Sequence, residues 1–223
     1  MTAHRQTEAA RSGRVLKLRY VMDPLCGWCY GGSAAITALH ECHRARVDFD
    51  LLPGGMWAGA AAKRQTPALA RLIRGHDEQV RAATGMEFGA AYFASLGDAS
   101  RLLDSEPPSR AIVTARHLAP ARQFAFAAAV QAARFRDGRD LNDEGTYRAV
   151  CAGLGMDAEV FMRAYASAEM RRATQAVFAE AARYARAYPT LVAERDGEWQ
   201  GVAEGYEPRE TVAAQLDRLL ENA

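Results

Sequence analysis

The sequence predicts an α/β domain interrupted by an all-helical insertion. Three observations predict it: two apolar stretches near the N-terminus flanking one amphipathic segment, about 120 residues with helical periodicity alone, and strand patterning that returns near the C-terminus. The chain has 223 residues, 49% hydrophobic and 25% charged, which suits one large core with a sizeable insertion. A formal net charge of +1 creates no field that would gather nucleic acid or an anionic membrane, so neither is an expected partner. The polar leader MTAHRQTEAARSGR lacks an apolar signal-peptide core, and no later run approaches the roughly 18 apolar residues of a membrane span. A cytoplasmic location is expected.

In chain order, VLKLRYVM (Val15 to Met22) alternates and then becomes continuously apolar, as a buried strand does, and Asp23-Pro24 ends it. From about Leu25 to Arg46, Ile36, Leu39 and Cys42 recur at three-residue steps among alanines, which predicts a helix burying those three. VDFDLLP (Val47 to Pro53) reads as a second strand, broken by Gly54-Gly55 and Gly59. Such a β-α-β unit has parallel strands and a right-handed crossover. Between about Thr66 and Ala187 no strand is expected, only six or seven helices; Pro120, Asp143 and Asp157 stand at helix starts and Gly138, Gly153 and Gly155 at helix stops. Pro189 to Val202 predicts a hairpin turning at Asp196-Gly197. The closing helix carries Val212, Leu216, Leu219 and Leu220 on one face. This order is that of a thioredoxin-like fold with an all-helical insertion domain. Residues 14–62 and 188–223 are expected to form the discontinuous thioredoxin-like domain, and 63–187 the insertion.

Four cysteines are too few for a disulfide scaffold, and a close pair in a reducing compartment is more often catalytic or metal-binding. Cys26 and Cys29, in DPLCGWCYGG, sit at the strand-to-helix junction. The unpaired N–H groups and positive dipole end of a helix favour a thiolate at Cys26, with Cys29 one turn on. That pattern suits Cys26 as nucleophile and Cys29 as resolving thiol. His40 and His43 complete C-x2-C-x10-H-x2-H, which resembles a zinc pattern. A helix that begins at the cysteines would carry His40 about 17 Å beyond Cys29, so no metal is expected. By the same rise Cys42 lies about 24 Å from Cys26, out of disulfide reach. Cys42 and Cys151 are expected to be small buried residues. An inert Cys-x-x-Cys in a binding protein is the remaining reading. Far along the chain, Pro189 begins a strand directly after a helix, a position a cis peptide bond would account for.

These residues resemble the DsbA family of thioredoxin-fold proteins, especially its cytosolic FrnE-like, disulfide-isomerase branch. DPLCGWCYGG after the first strand, the place of the helical insertion and YPTLV entering the third strand carry the resemblance, which covers nearly the whole chain. It implies a DsbA-like protein disulfide oxidoreductase or isomerase: Cys26 attacks, Cys29 resolves, and Pro189 is a cis-proline binding substrate with Tyr188. Trp28 and Tyr30 match the branch's aromatic pattern, and Trp28 joins the expected substrate-binding residues. The dipeptide Gly27-Trp28 differs from the Pro-His of periplasmic DsbA and the Gly-Pro of thioredoxin. A protein or small-molecule disulfide is the implied partner. No cofactor is implied beyond glutathione as co-substrate. A sister branch, the kappa-type glutathione transferases and hydroxychromene-carboxylate isomerases, has the same architecture with serine where Cys26 stands; glutathione-dependent catalysis is the alternative.

Asp23 can serve in proton transfer if buried, or simply end the strand in a turn. Trp57 is expected to line a groove near the cysteines or to pack in the core, while His76 and His117, in helical windows among charges, are expected to be solvated or bridging. The aromatic helices around Phe88 to Phe93 and Phe124 to Phe126 read as packing faces, and the resemblance implies an apolar wall over the site.

Overall fold

The computed structural model describes residues 15–221. The leader and the outermost residues of the expected thioredoxin-like domain lie outside them. Strand β1 (Leu16–Met22) leads through a tight turn into helix α1 (Gly27–His43), which returns to strand β2 (Val47–Pro53). The two strands are parallel, Leu16 opposite Val47 through Met22 opposite Pro53. Both alternate at first and are fully buried at their last three residues. The reason is two-sided cover: Leu18, Tyr20 and Leu51 join the main core, while Val21 and Leu52 pack the other way against Val113, Met170 and Val177.

Strands β5 (Thr190–Arg195) and β6 (Glu198–Glu204) complete a sheet of order β2-β1-β5-β6, with β5 antiparallel to β1. Their turn has φ of 52° at Asp196 and 85° at Gly197, the left-handed pair that a two-residue hairpin needs. The last helix, α9 (Arg209–Glu221), buries Leu216 and Leu220.

The helical segment contains α2 (Pro67–Thr84), α3 (Ala90–Ser95), α4 (Glu106–Leu118), α5 (Gln123–Phe135), α6 (Glu144–Gly153), α7 (Ala158–Tyr165) and α8 (Ala168–Ala181). The Asp143 and Asp157 side chains accept the first free N–H groups of α6 and α7, so both are N-caps. Pro120 opens only a short 3₁₀ turn ahead of α5. The expectation of no strand fails at one place: β4 (Leu102–Leu103) pairs antiparallel with β3 (Lys63–Arg64). A two-residue strand has no period to detect.

Helix α1 is pressed from both sides. A Cβ on Gly31 would stand 2.6 Å from Val80 Cγ1 and 2.9 Å from Thr84 Cγ2, and one on Gly27 would overlap the Asp77 carboxylate. Glycines four apart thus form the contact edge for α2. On another side His40 stacks on Phe124, ring centres 4.5 Å apart, and meets Phe49 edge-on. Cys42 corrects an expectation, because it is exposed while Ile36 and Leu39 are buried. At 3.6 residues per turn, two successive three-residue steps drift by roughly 120°, and the second leaves the buried face.

The outer edge of β2 is closed by a side chain. Gln123 accepts the Leu51 N–H at 3.1 Å and donates to the Phe49 carbonyl at 3.1 Å, taking the place of a neighbouring strand.

Candidate active site

Cys26 is the N-cap residue of α1, with φ −84° and ψ 119°. Its N–H donates to the Asp23 carbonyl at 3.1 Å, and its own carbonyl accepts from Tyr30 N–H at 3.1 Å, which starts the helix ladder. No side chain caps this helix and no acidic residue stands in its first turn, so its positive end is left to a charge forming at Cys26. Both motif cysteines are thiols; Cys26 is partly exposed and Cys29 is buried. The Cys29 sulfur accepts the Asp23 backbone N–H at 3.5 Å. Burial pushes the Cys29 thiol well up, and the adjacent Cys26 sulfur adds to this by hydrogen bond and charge.

Facing the pair is the loop into β5. The Tyr188–Pro189 peptide is cis, and the Cys26 thiol points to the Tyr188 carbonyl at 3.7 Å. Tyr188 is held by its hydroxyl, which donates to the Gly54 carbonyl at 3.1 Å, while its ring fills the space a side chain at Gly54 would need. Burial, with smaller contributions from Asp23, Cys29 and Cys26, raises the Tyr188 phenol to about 12. The Pro189 carbonyl accepts from Gly205 N–H at 2.8 Å, tying the loop to the end of β6. Trp28 is half-buried and stacks on Tyr206 with ring centres 5.5 Å apart. Tyr30 stacks on Phe135 and meets Phe88 edge-on, so aromatic side chains of the helical segment lie against the motif helix.

Asp23 is completely buried, and its carboxylate ties three segments together. Oδ1 accepts Leu25 N–H at 2.9 Å and the Ser105 hydroxyl at 3.0 Å; Oδ2 accepts Met56 N–H at 2.7 Å. It is therefore the turn residue and a buried acid at once. Burial raises its carboxyl to about 6, against the opposing pull of these bonds and of the Arg134 guanidinium. Ser105, which the sequence does not single out, also accepts Trp57 N–H at 3.1 Å. Trp57 packs against the core, with the Lys63 ammonium 5.1 Å from its ring centre. A second buried acid missed by sequence reasoning, Asp77, lies against Gly27. Only a through-space contact marks either residue.

Other titratable residues stand elsewhere. His76 and His117 are exposed, and Cys151 is buried in α6, its thiol raised to about 11 by burial. Among the described residues no group of three or more His, Cys, Asp or Glu side chains is arranged to hold a metal ion. None of the described helices is long and apolar enough to cross a membrane.

No family model and no curated protein matches the chain. Solved structures do. The cytosolic disulfide reductase DsbM from Pseudomonas aeruginosa is 32% identical, with a TM-score of 0.80 over 93% of this chain and 100% of that one. Its structure with glutathione matches at 29% identity and a TM-score of 0.75, over 92% and 99% of the two chains. A candidate protein disulfide isomerase from Nitrosomonas europaea is 25% identical, with a TM-score of 0.84 over 94% of this chain and 99% of that one. A 2-hydroxychromene-2-carboxylate isomerase shares the fold alone, at 15% identity and a TM-score of 0.62 over 92% and 97%.

Proposed function

The chain belongs to the DsbA family of thioredoxin-fold oxidoreductases, and from that premise we propose that it is a thiol-disulfide oxidoreductase or isomerase working through Cys26 and Cys29. We place it in the FrnE-like branch, in the cytoplasm, with 63–187 as the helical insertion beside the site. The observation that carries the reading is the asymmetry of the pair: a partly exposed thiol at an uncapped helix start, and a buried thiol one turn in.

The Cys26 thiolate attacks one sulfur of a substrate disulfide, forming a mixed disulfide and releasing the other sulfur as thiolate. Cys29 then gives up its proton and attacks Cys26 Sγ; the Cys26–Cys29 disulfide forms and the second substrate thiolate leaves. Two electrons pass from the dithiol to the substrate, and the reverse sequence oxidises a dithiol. A raised Cys29 thiol needs a base, and Asp23 suits that task through an intervening water: its buried carboxyl is raised to about 6 and its charge acts on the Cys29 thiol. The Tyr188 carbonyl, beside Cys26, and Pro189 would align the substrate backbone, with Trp28 as an apolar flank. Glutathione fits as the small co-substrate thiol, an assignment supported by the DsbM structure that holds it.

The test is insulin reduction with dithiothreitol as electron donor. Cys26→Ser is expected to abolish activity above background, whereas Cys29→Ser is expected to accumulate a mixed disulfide visible by mass spectrometry. Full activity of Cys26→Ser would overturn the assignment. Turnover of a glutathione-dependent isomerisation with Cys29 replaced would favour the sister chemistry instead.

A further inference from the structure

Position 27 lies between the two cysteines, and the side chain it lacks has been replaced by one from another helix. A Cβ on Gly27 would overlap Asp77 Oδ1 and approach Val80 Cγ2 at 3.6 Å. Asp77, on α2, is 3% exposed, and its other oxygen accepts the Tyr92 hydroxyl at 2.5 Å. Resting on the redox reading of the pair, we propose that Asp77 is a positioning residue for it: its carboxylate requires glycine at position 27 and sets a titratable charge against the first turn that carries the nucleophile.

The charged and titratable groups around Asp77 come from three helices. Tyr92 of α3 donates to it, His76 is its neighbour on α2, and Arg134 of α5 lies with its guanidinium carbon 5.4 Å from the Tyr92 ring centre. Cys26 and Cys29 flank Gly27 itself, and Asp23 draws on the same Arg134. Burial raises the Asp77 carboxyl to about 6, opposed by the Tyr92 hydrogen bond and the Arg134 charge. An acid of this kind is neutral below that point and anionic above it. Its anion, held against the residue next to Cys26, opposes a thiolate forming there, so the reactivity of Cys26 follows the protonation of Asp77.

The measurement is the rate of Cys26 alkylation by iodoacetamide against pH, with the reduction potential of the pair taken in glutathione buffers. Asp77→Asn is expected to react as the parent does at pH 5 and on the order of tenfold faster at pH 7.5, with a more oxidising pair, because a repelling charge has gone. Tyr92→Phe removes the hydroxyl that favours the anion. Its rate is expected to exceed the parent's near pH 6 to 7 and to return to it at higher pH. This second variant decides the matter if Asp77→Asn does not fold. A rate ratio of one at every pH in a folded variant would overturn the inference, while insulin reduction by the parent would still stand as separate support for the redox pair.

Discussion

At the residue scale, motif and partner differ in how they can be recognised. Cys26, Cys29 and the Tyr188-Pro189 pair stand out in the sequence because their spacing and their place after a strand or helix are local facts. Ser105 and Asp77 carry no such mark: they become notable only through contacts 82 residues away at Asp23 and across two helices at Gly27. Ser105 nevertheless sets how Asp23 titrates. The folded value of Asp23, raised to about 6, lies above its ordinary one. The stability it contributes is therefore full below about pH 4 and lost as pH rises through 6. The Ser105 hydroxyl favours the ionised form, so Ser105→Ala pushes Asp23 further up and extends the loss. We expect a deficit of about 1 kcal/mol in urea unfolding at pH 4.5, growing to roughly 2–3 kcal/mol at pH 7, as a hydrogen bond to a charged group is the stronger one. An equal deficit at both pH values would refute the coupling.

At the element scale, periodicity marks the long helices and the hairpin but not the buried face of α1. Three-residue steps at 36, 39 and 42 look like one stripe, yet helix geometry carries Cys42 round into solvent. What α1 presents to α2 is instead an absence of side chains at Gly27 and Gly31, which apolar counting passes over. The adjacent pair Gly31 and Gly32 makes the point measurable. A methyl at Gly31 meets Val80 and Thr84 inside 3.0 Å, whereas one at Gly32 finds Tyr206 Cδ2 at 3.7 Å, ordinary contact. Gly31→Ala should therefore cost about 1–3 kcal/mol through overpacking, and Gly32→Ala should gain up to about 1 kcal/mol in helix propensity. Thermal unfolding of the two variants should shift in opposite directions; a common upward shift would mean that local propensity, not α2 contact, governs this helix, and a common downward shift would mean that position 32 is as tightly packed as 31.

At the scale of the whole molecule, the sequence suggests two regions, but the packing joins them. Leu18 and Leu51 from the sheet share one hydrophobic cluster with Ile112, Phe126, Val130 and Phe161 from the helical segment. Asp23 binds Ser105 across the same divide, and Gln123 closes the edge of β2. Linear patterns reveal which elements form; the pairing of two apolar faces far apart in the chain leaves no local trace. The energetic consequence is that residues 63–187 cannot be regarded as a detachable lid. Replacing them with a short flexible linker would expose Val21 and Leu52 on one sheet face and leave the Leu51 N–H without its Gln123 partner. Each large apolar side chain so exposed forfeits about 1.5–3 kcal/mol, and with Leu18, Tyr20 and Leu51 on the other face also uncovered the loss is comparable to the roughly 5–15 kcal/mol that stabilises an ordinary domain. The excised chain is expected to show no cooperative urea transition and to bind a hydrophobic dye strongly. A sharp transition with the parent's insulin reductase activity would mean instead that the sheet, α1 and α9 suffice to hold the pair in place.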